Sequence, residues 1–310
     1  MRIRRLLFLG IGILVARADP PPAAPPAAPD DLYSAGKQLF DQYAPPEVKA
    51  QYDFPSKDQW DEFAVRLQRA LDNNSLGDLA AYAPEARAAL VTLRAVPGYE
   101  DYADWLALRL DEIEAAGQAT APSAQRAPGP APILRTPSIP HYDLWLARLR
   151  DRPIPADAAT LMPQLRTAFA AEGVPPELAW LAEAESSLNP SARSPSGARG
   201  LFQLTPETAK TEGLSTFLPD QRTDPTLSAR AAARLLRTLY GRFGSWPLVL
   251  AGYNAGEGRV SHLMASRGAG DYAGVASALP SETRMYVPKV LALVAVRTGV
   301  DPDKLPPPRT

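Results

Sequence analysis

The amino-acid sequence predicts an all-α protein with two helical parts, residues 31–117 and 141–300, set between proline-rich spacers. Three observations predict it. Apolar residues recur at helical spacing, as in Trp60, Phe63, Leu67 and Leu71 and again in Tyr102, Leu106, Leu110 and Ile113. The helical stretches carry start and stop signals, and no run of alternating β-branched residues competes with them. Proline clusters in PPPAAPPAAP, from Pro20 to Pro29, and in APSAQRAPGPAPILRTPSIP, from Ala121 to Pro140. Neither cluster has an apolar period, so residues 19–30 and 118–140 read as extended spacers and 301–310 as a Pro-rich tail.

In chain order, the first element is a secretory signal peptide over residues 1–18. Three arginines precede an apolar run from Leu6 to Val15, and the small-x-small triplet Ala16, Arg17, Ala18 follows. The run is about half of the ~20 apolar residues that a membrane span needs. Export with cleavage after Ala18 is expected, leaving no stable membrane anchor and a protein of the periplasm or cell envelope. Residues 31–117 then read as a small helical domain, in which a capping box from Ser56 to Gln59 opens the helix bearing Trp60. No cluster in it forces a chemistry, and its partners are not legible.

In the C-terminal part, Pro175 and Pro176 open a helix running to about Ser186, where Asn189-Pro190 forces the chain out. Thr205 caps the next, with Pro206 in its first turn and Gly213 beyond its end. Asp224 and Pro225 open a third, with Leu227, Ala231, Leu235 and Leu239 on its apolar face and Arg230, Arg234 and Arg237 elsewhere. Ser281 starts the last helix. Its run from Val290 to Val296 is apolar all round, which predicts a central, buried position.

Composition narrows the function. At 310 residues, 45% apolar and 22% charged, the chain is globular and long enough for two cores. Lys+Arg 33 against Asp+Glu 34 leaves a net charge of -1, so there is no overall basic field to hold nucleic acid or an anionic membrane. The absence of cysteine excludes disulfides, thiolate metal sites, a cysteine nucleophile and a lipid-bearing cysteine. With His141 and His262 as the sole histidines, a His-rich metal cluster is also excluded; no metal and no cofactor are expected.

Acid catalysis at a glycosidic oxygen needs a carboxyl whose pKa is raised enough to keep its proton until it is used. Glu183 and Glu185 lie near the end of one helix. Two positions apart, they sit about 200° around its axis, so at most one can face a given cleft. Glu185 is the candidate, because it is nearer the negative end of the helix dipole and polar Ser186, Ser187 and Asn189 follow it. A glutamate that merely solvates a helix end is the ordinary alternative.

Three segments change that balance: AEAESSLNPSARSPSGARGLFQLTPETAK, then AGYNAGEGRV, then LPSETRMYVPKVLAL. Together they resemble the Slt and membrane-bound D type lytic transglycosylases, whose lysozyme-like catalytic domain carries E-S, G-L-M-Q, A-Y-N-A-G and E-T-x-x-Y-V segments in that order. The resemblance covers about half the chain and says nothing of 31–117. It implies a lysozyme-like helical domain with Glu185 as the catalytic acid and base. Ser194 would lie near the acetamido group of the reacting sugar, Gln203 would bind sugar, Tyr253 and Asn254 would line the cleft, and the Tyr286 hydroxyl would lie close to the catalytic carboxyl. The implied partner is the peptidoglycan glycan strand, cleaved without water to give 1,6-anhydro ends. A goose-type muramidase and a non-catalytic peptidoglycan-binding protein are the alternatives.

Gly197, Gly200, Gly252 and Gly256 read as turn and close-packing positions, and Glu282 with Arg284 as a structural ion pair. Phe202 and Thr205 stand where the family often has methionine, and Gly252 stands for the first alanine of A-Y-N-A-G.

Overall fold

The computed structural model describes residues 41–42, 46–51, 74–95, 100–121, 139–194 and 197–309. The expected signal peptide, the 19–30 spacer, the Ser56–Gln59 capping box with Trp60, Phe63, Leu67 and Leu71, and most of the 118–140 spacer lie outside them. Among the described residues all regular structure is helical, with isolated bridges at Arg193–Arg199 and Arg199–Leu204. The α-helices are α1 (Pro46–Gln51), α2 (Leu76–Ala80), α3 (Ala83–Ala95), α4 (Glu100–Thr120), α5 (Tyr142–Leu149), α6 (Ala158–Ala171), α7 (Leu181–Ser186), α8 (Pro206–Thr211), α9 (Pro225–Phe243), α10 (Trp246–Ala255), α11 (Glu257–Arg267), α12 (Tyr272–Ala276) and α13 (Ser281–Thr298).

Short polar residues and prolines set the helix starts. The Asp224 carboxylate accepts from Leu227 N at 2.8 Å, Pro225 occupies the first helical position, where its missing N–H is harmless, and Gly244 at φ 64 closes α9. Thr205 and Pro206 start α8 in the same way, the hydroxyl accepting from Thr208 N at 3.2 Å. The helix expected from Pro176 to Ser186 is split: Pro176–Trp180 is a 3₁₀ stretch and the α-helical turns begin at Leu181. Two successive prolines remove the first donors, and the tighter turn reaches the regular ladder later.

The core is built around α13, in which every residue from Met285 to Ala295 is buried. It packs against α5, α7, α10 and α4. Trp145, Phe169 and Phe202 are fully buried, and a large apolar side chain contributes about 1.5–3 kcal/mol when taken out of water. No described helix is long and apolar enough to cross a membrane.

Elsewhere the structure departs from the expected pattern. On α9 the buried face runs through Ala229, Ala232, Leu236, Leu239 and Phe243, while Leu227 is 37% exposed. Alanines at 229 and 231–233 carry little phase information, so the larger Leu236, Leu239 and Phe243 decide which side turns inward. The boundary expected at Gly117 falls inside α4, which continues to Thr120 with the Thr120 hydroxyl bonded back to Ala116 O at 3.0 Å. Leu106, Leu110 and Ile113 of α4 are buried as their spacing predicts, in an apolar cluster that runs without a break from Leu76 to Leu305. The Pro-rich tail is docked: Leu305 is buried, Pro306 O accepts from Trp246 Nε1 at 3.1 Å, and Arg309 N donates to Gly173 O at 2.8 Å.

Candidate active site

Helix α7 ends in a sharp reversal, with Ser187 and Leu188 both left-handed at φ 53 and 65. The Ser186 hydroxyl fixes that end by bonding to Ala182 O and Leu201 O, each at 3.0 Å, tying α7 to the 192–204 loop. The glutamates on α7 go separate ways, as their angular offset requires. Glu183 turns into the interior, where Arg297 grips it with Nη2 at 2.6 Å and Nε at 2.8 Å. The Glu185 carboxyl is instead bonded by the Tyr286 hydroxyl of α13.

The 192–204 loop beside α7 carries Ser194 and Gln203. Ser194 Oγ accepts from Ala198 N at 3.0 Å. Gln203 is itself left-handed at φ 46, and its Nε2 donates to Gly200 O at 2.9 Å and Ala192 O at 3.3 Å. Both side chains are thus held within their own loop. Arg222, buried and unmarked by any sequence signal, pins that loop from outside. It reaches Gly197 O at 2.8 Å and Leu204 O at 3.1 Å, and Asp220 holds it with both carboxylate oxygens at 2.9 and 2.7 Å. Gly200 makes the close approach possible: at φ 77, a Cβ there would stand 1.9 Å from Arg222 O. Gly252 is a close-packing position too, since a Cβ would meet the Phe243 ring at 2.8 Å.

From α10, Tyr253 donates to Phe202 O at 2.7 Å and Asn254 Nδ2 donates to Glu282 Oε1 at 3.2 Å, while Asn254 Oδ1 accepts from Thr283 Oγ1 at 2.6 Å. The expected Glu282–Arg284 pair is not formed. Side chains two apart on a helix point to different sides; Glu282 pairs with Arg109 of α4 at 2.8 Å, and Arg284 donates to Asn74 O. Arg109 also bonds Glu112 at 2.8 Å, and Glu112 in turn holds the fully buried Lys289 at 2.9 Å. A polar network therefore leads from Lys289 through Glu112, Arg109 and Glu282 to Asn254.

Burial pushes the Glu185 carboxyl up to about 7, against the Tyr286 hydrogen bond and the Arg109 charge, which favour the ionised form, and with help from Glu112 and Glu282. Tyr286 and Tyr253 are held well above the usual tyrosine range, by burial first and the Glu185 charge second, so both are neutral donors. Burial disfavours charge on Arg109, but Glu282 and Glu112 outweigh it and keep the guanidinium firmly protonated. The result is one carboxyl that is protonated for part of the time at neutral pH and bonded by a phenol rather than by a cation. Such a group can give a proton to a substrate oxygen and afterwards take one back.

Of the sequence-predicted residues, Glu185 and Tyr286 are in direct contact, Tyr253 adds its hydroxyl nearby, Asn254 is joined to the acidic network, and Ser194 and Gln203 occupy the adjoining loop. Arg109, Glu112, Lys289 and Arg222 were not among them. The family model described as "Transglycosylase SLT domain" matches residues 166–274. Membrane-bound lytic murein transglycosylase D of Escherichia coli K12 is 40% identical over 124 residues, which is 39% of this chain and 27% of that protein. Soluble lytic murein transglycosylase of the same strain is 39% identical over 121 residues, 36% of this chain and 19% of that protein. The chain thus matches about a quarter or less of the length of these relatives. Among solved structures, the 70 kDa soluble lytic transglycosylase of Escherichia coli overlays with a TM-score of 0.42 at 18% identity, covering 90% of this chain and 59% of that one. The segment matched by the transglycosylase SLT domain model is thus the one that carries Glu185, the 192–204 loop, Tyr253 and Asn254.

Proposed function

We propose that this chain is a peptidoglycan lytic transglycosylase that uses Glu185 first as general acid and then as general base. The observation that carries this reading is the Glu185 carboxyl, pushed up to about 7 and bonded by the Tyr286 hydroxyl. A glycosidase of the usual kind needs a second carboxylate as nucleophile or to activate water. Here Glu112 and Glu282 are both committed to Arg109. One carboxyl suffices if the substrate supplies its own nucleophile.

In the proposed reaction Glu185 protonates the oxygen that links N-acetylmuramic acid to N-acetylglucosamine, and an oxocarbenium-like centre develops at C1. Glu185, now a carboxylate, takes the proton from the muramoyl C6 hydroxyl, which closes onto C1 to give a 1,6-anhydro end. No water is consumed, and Glu185 recovers its proton for the next cycle. Tyr286 orients the carboxyl, and Tyr253, Asn254, Gln203 and Ser194 hold the sugars in the cleft. The murein named in both relatives supports glycan strands as substrate. Export with removal of residues 1–18 would bring the enzyme to that substrate.

Glu185→Gln tests the assignment: an amide can neither give nor recover a carboxyl proton, so turnover of purified sacculi should fall by at least about a hundredfold with the fold intact. Wild-type turnover in this variant would end the assignment.

A further inference from the structure

Arg109 lies ahead of the family match, which begins at residue 166, yet its guanidinium pairs with Glu282 and its charge acts on Glu185. Its Nη1 stands 2.8 Å from Glu112 Oε2 and 2.8 Å from Glu282 Oε1. Glu282 Oε1 is also the oxygen that accepts from Asn254 Nδ2 at 3.2 Å. On the other side, Glu112 is anchored to Lys289 at 2.9 Å, with side chains only 3% and 1% exposed. Arg109 therefore couples a rigid buried ion pair to a partly exposed glutamate at the cleft. We propose that Arg109 is a positioning residue of the reaction centre, holding Glu282 in place beside Asn254 and balancing the acidic side chains that surround Glu185.

The charges explain why such a residue is needed. The groups that face Glu185 are Tyr286 and Glu282 from α13, Tyr253 from α10, and Arg109 and Glu112 from α4. Two of these are carboxylates that resist ionisation of Glu185, and Arg109 is the cation set against them. With Arg109 replaced by a neutral side chain, Glu112 would keep Lys289, but Glu282 would lose its cation and be held by the Asn254 amide. Asn254 would lose the fixed orientation of its acceptor. Glu185 would then bind its proton more tightly and return to the carboxylate more slowly, which hinders the basic half of the reaction.

The test uses the full chain with ¹³C-labelled glutamate carboxyls, the Glu185 signal being the one lost in Glu185→Gln. Titration of that signal does not depend on the reaction. In Arg109→Gln its midpoint should move upward by about half a unit or more, because a nearby opposite charge has been removed. Turnover of sacculi should fall by about tenfold, mostly in kcat. Arg109 is 28% exposed, so its truncation leaves little buried space. Arg109→Lys should bring the midpoint back close to the wild-type value while recovering turnover only in part, since an ammonium lacks the planar fork. Arg152→Gln serves as control: it breaks a 2.9 Å contact to Asp111 on the same helix and should lower the melting temperature without moving the midpoint. An unmoved midpoint in Arg109→Gln, an equal displacement in Arg152→Gln, or no recovery in Arg109→Lys would overturn the proposal. The kinetic half rests on the transglycosylase reading; a wild-type chain inert on sacculi would refute that reading and leave the titration to decide the role of Arg109.

Discussion

The Tyr286 hydroxyl donates a hydrogen bond to Glu185, joining residues that are 101 positions apart in the chain. Both groups come from helices that pack on each other, α7 and α13, so the contact is set by the core and not by a loop. Burial raises the carboxyl and keeps a proton on it for part of the time, while the neutral phenol fixes its direction and, by its hydrogen bond, favours the ionised form.

Tyr286→Phe should lower turnover roughly tenfold to a hundredfold, because a lost hydrogen bond to a buried carboxyl costs about 1–3 kcal/mol and about 1.4 kcal/mol is a factor of ten. Binding to glycan strands should stay near wild type, since the ring still fills its place. Steady-state rates and a pull-down on sacculi check this. A wild-type rate would remove the hydroxyl from the mechanism.

Glu183→Gln should act on stability instead. Glu183 and Arg297 have side chains 5% and 4% exposed. Removing the carboxylate leaves the buried Arg297 cation without its counter-charge, held only by the Arg152 and Pro153 carbonyls and the Trp180 ring. The loss is expected at about 3–5 kcal/mol. Chemical denaturation measures it, and turnover per folded molecule should remain close to wild type. Equal catalytic losses in Glu183→Gln and Glu185→Gln would mean that the two roles are wrongly divided.

The pH dependence follows from the raised carboxyl. Between its ordinary value of 4.5 and about 7, the native state binds more proton at Glu185 than the unfolded chain does. Stability from this group is therefore present at low pH and is lost as pH rises through about 7, by up to roughly 3 kcal/mol. Glu185→Gln should thus melt higher than wild type at pH 8 and about equally at pH 4. Activity should fall along an alkaline limb centred near 7, where the acid loses its proton. A variant that melts lower than wild type at pH 8 contradicts the raised value.

Gly200→Ala probes the loop. A Cβ 1.9 Å from Arg222 O cannot be accommodated without moving the backbone, and φ 77 is itself unfavourable for alanine. The 192–204 loop should shift, carrying Gln203 and Ser194 with it. Turnover should drop by more than about tenfold, with a lower melting temperature. Near-wild-type activity would show that the loop plays no part in holding substrate.

Much of the helical fold was legible because its signals are local. Asp224 with Pro225, Thr205 with Pro206, and the apolar run of α13 all act within one or two turns. Helix geometry and the motif order around it made Glu185 the candidate, and the separate surroundings of the two glutamates, Glu183 on Arg297 and Glu185 on Tyr286, follow from the same geometry. The supporting contacts were not legible, because they join distant segments: Glu112 and Lys289 lie 177 positions apart, and Arg297 and Glu183 lie 114 apart. One clue was present. Lys289 stands directly before the Val290–Val296 run expected to be buried, and a charge carried into such a core demands a partner. That partner sits on α4, in a part of the chain where sequence alone showed helical spacing and no chemistry. Glu282 was assigned to Arg284 for the same reason, a near neighbour in sequence being the visible choice.

The most direct test is mass spectrometry of the muropeptides that the full chain releases from purified sacculi. Release of 1,6-anhydromuramoyl products by the wild type, and their loss in Glu185→Gln, is the expected result. Products with reducing muramic ends, or with an oxygen from labelled water at C1, would contradict it and make the enzyme a hydrolase.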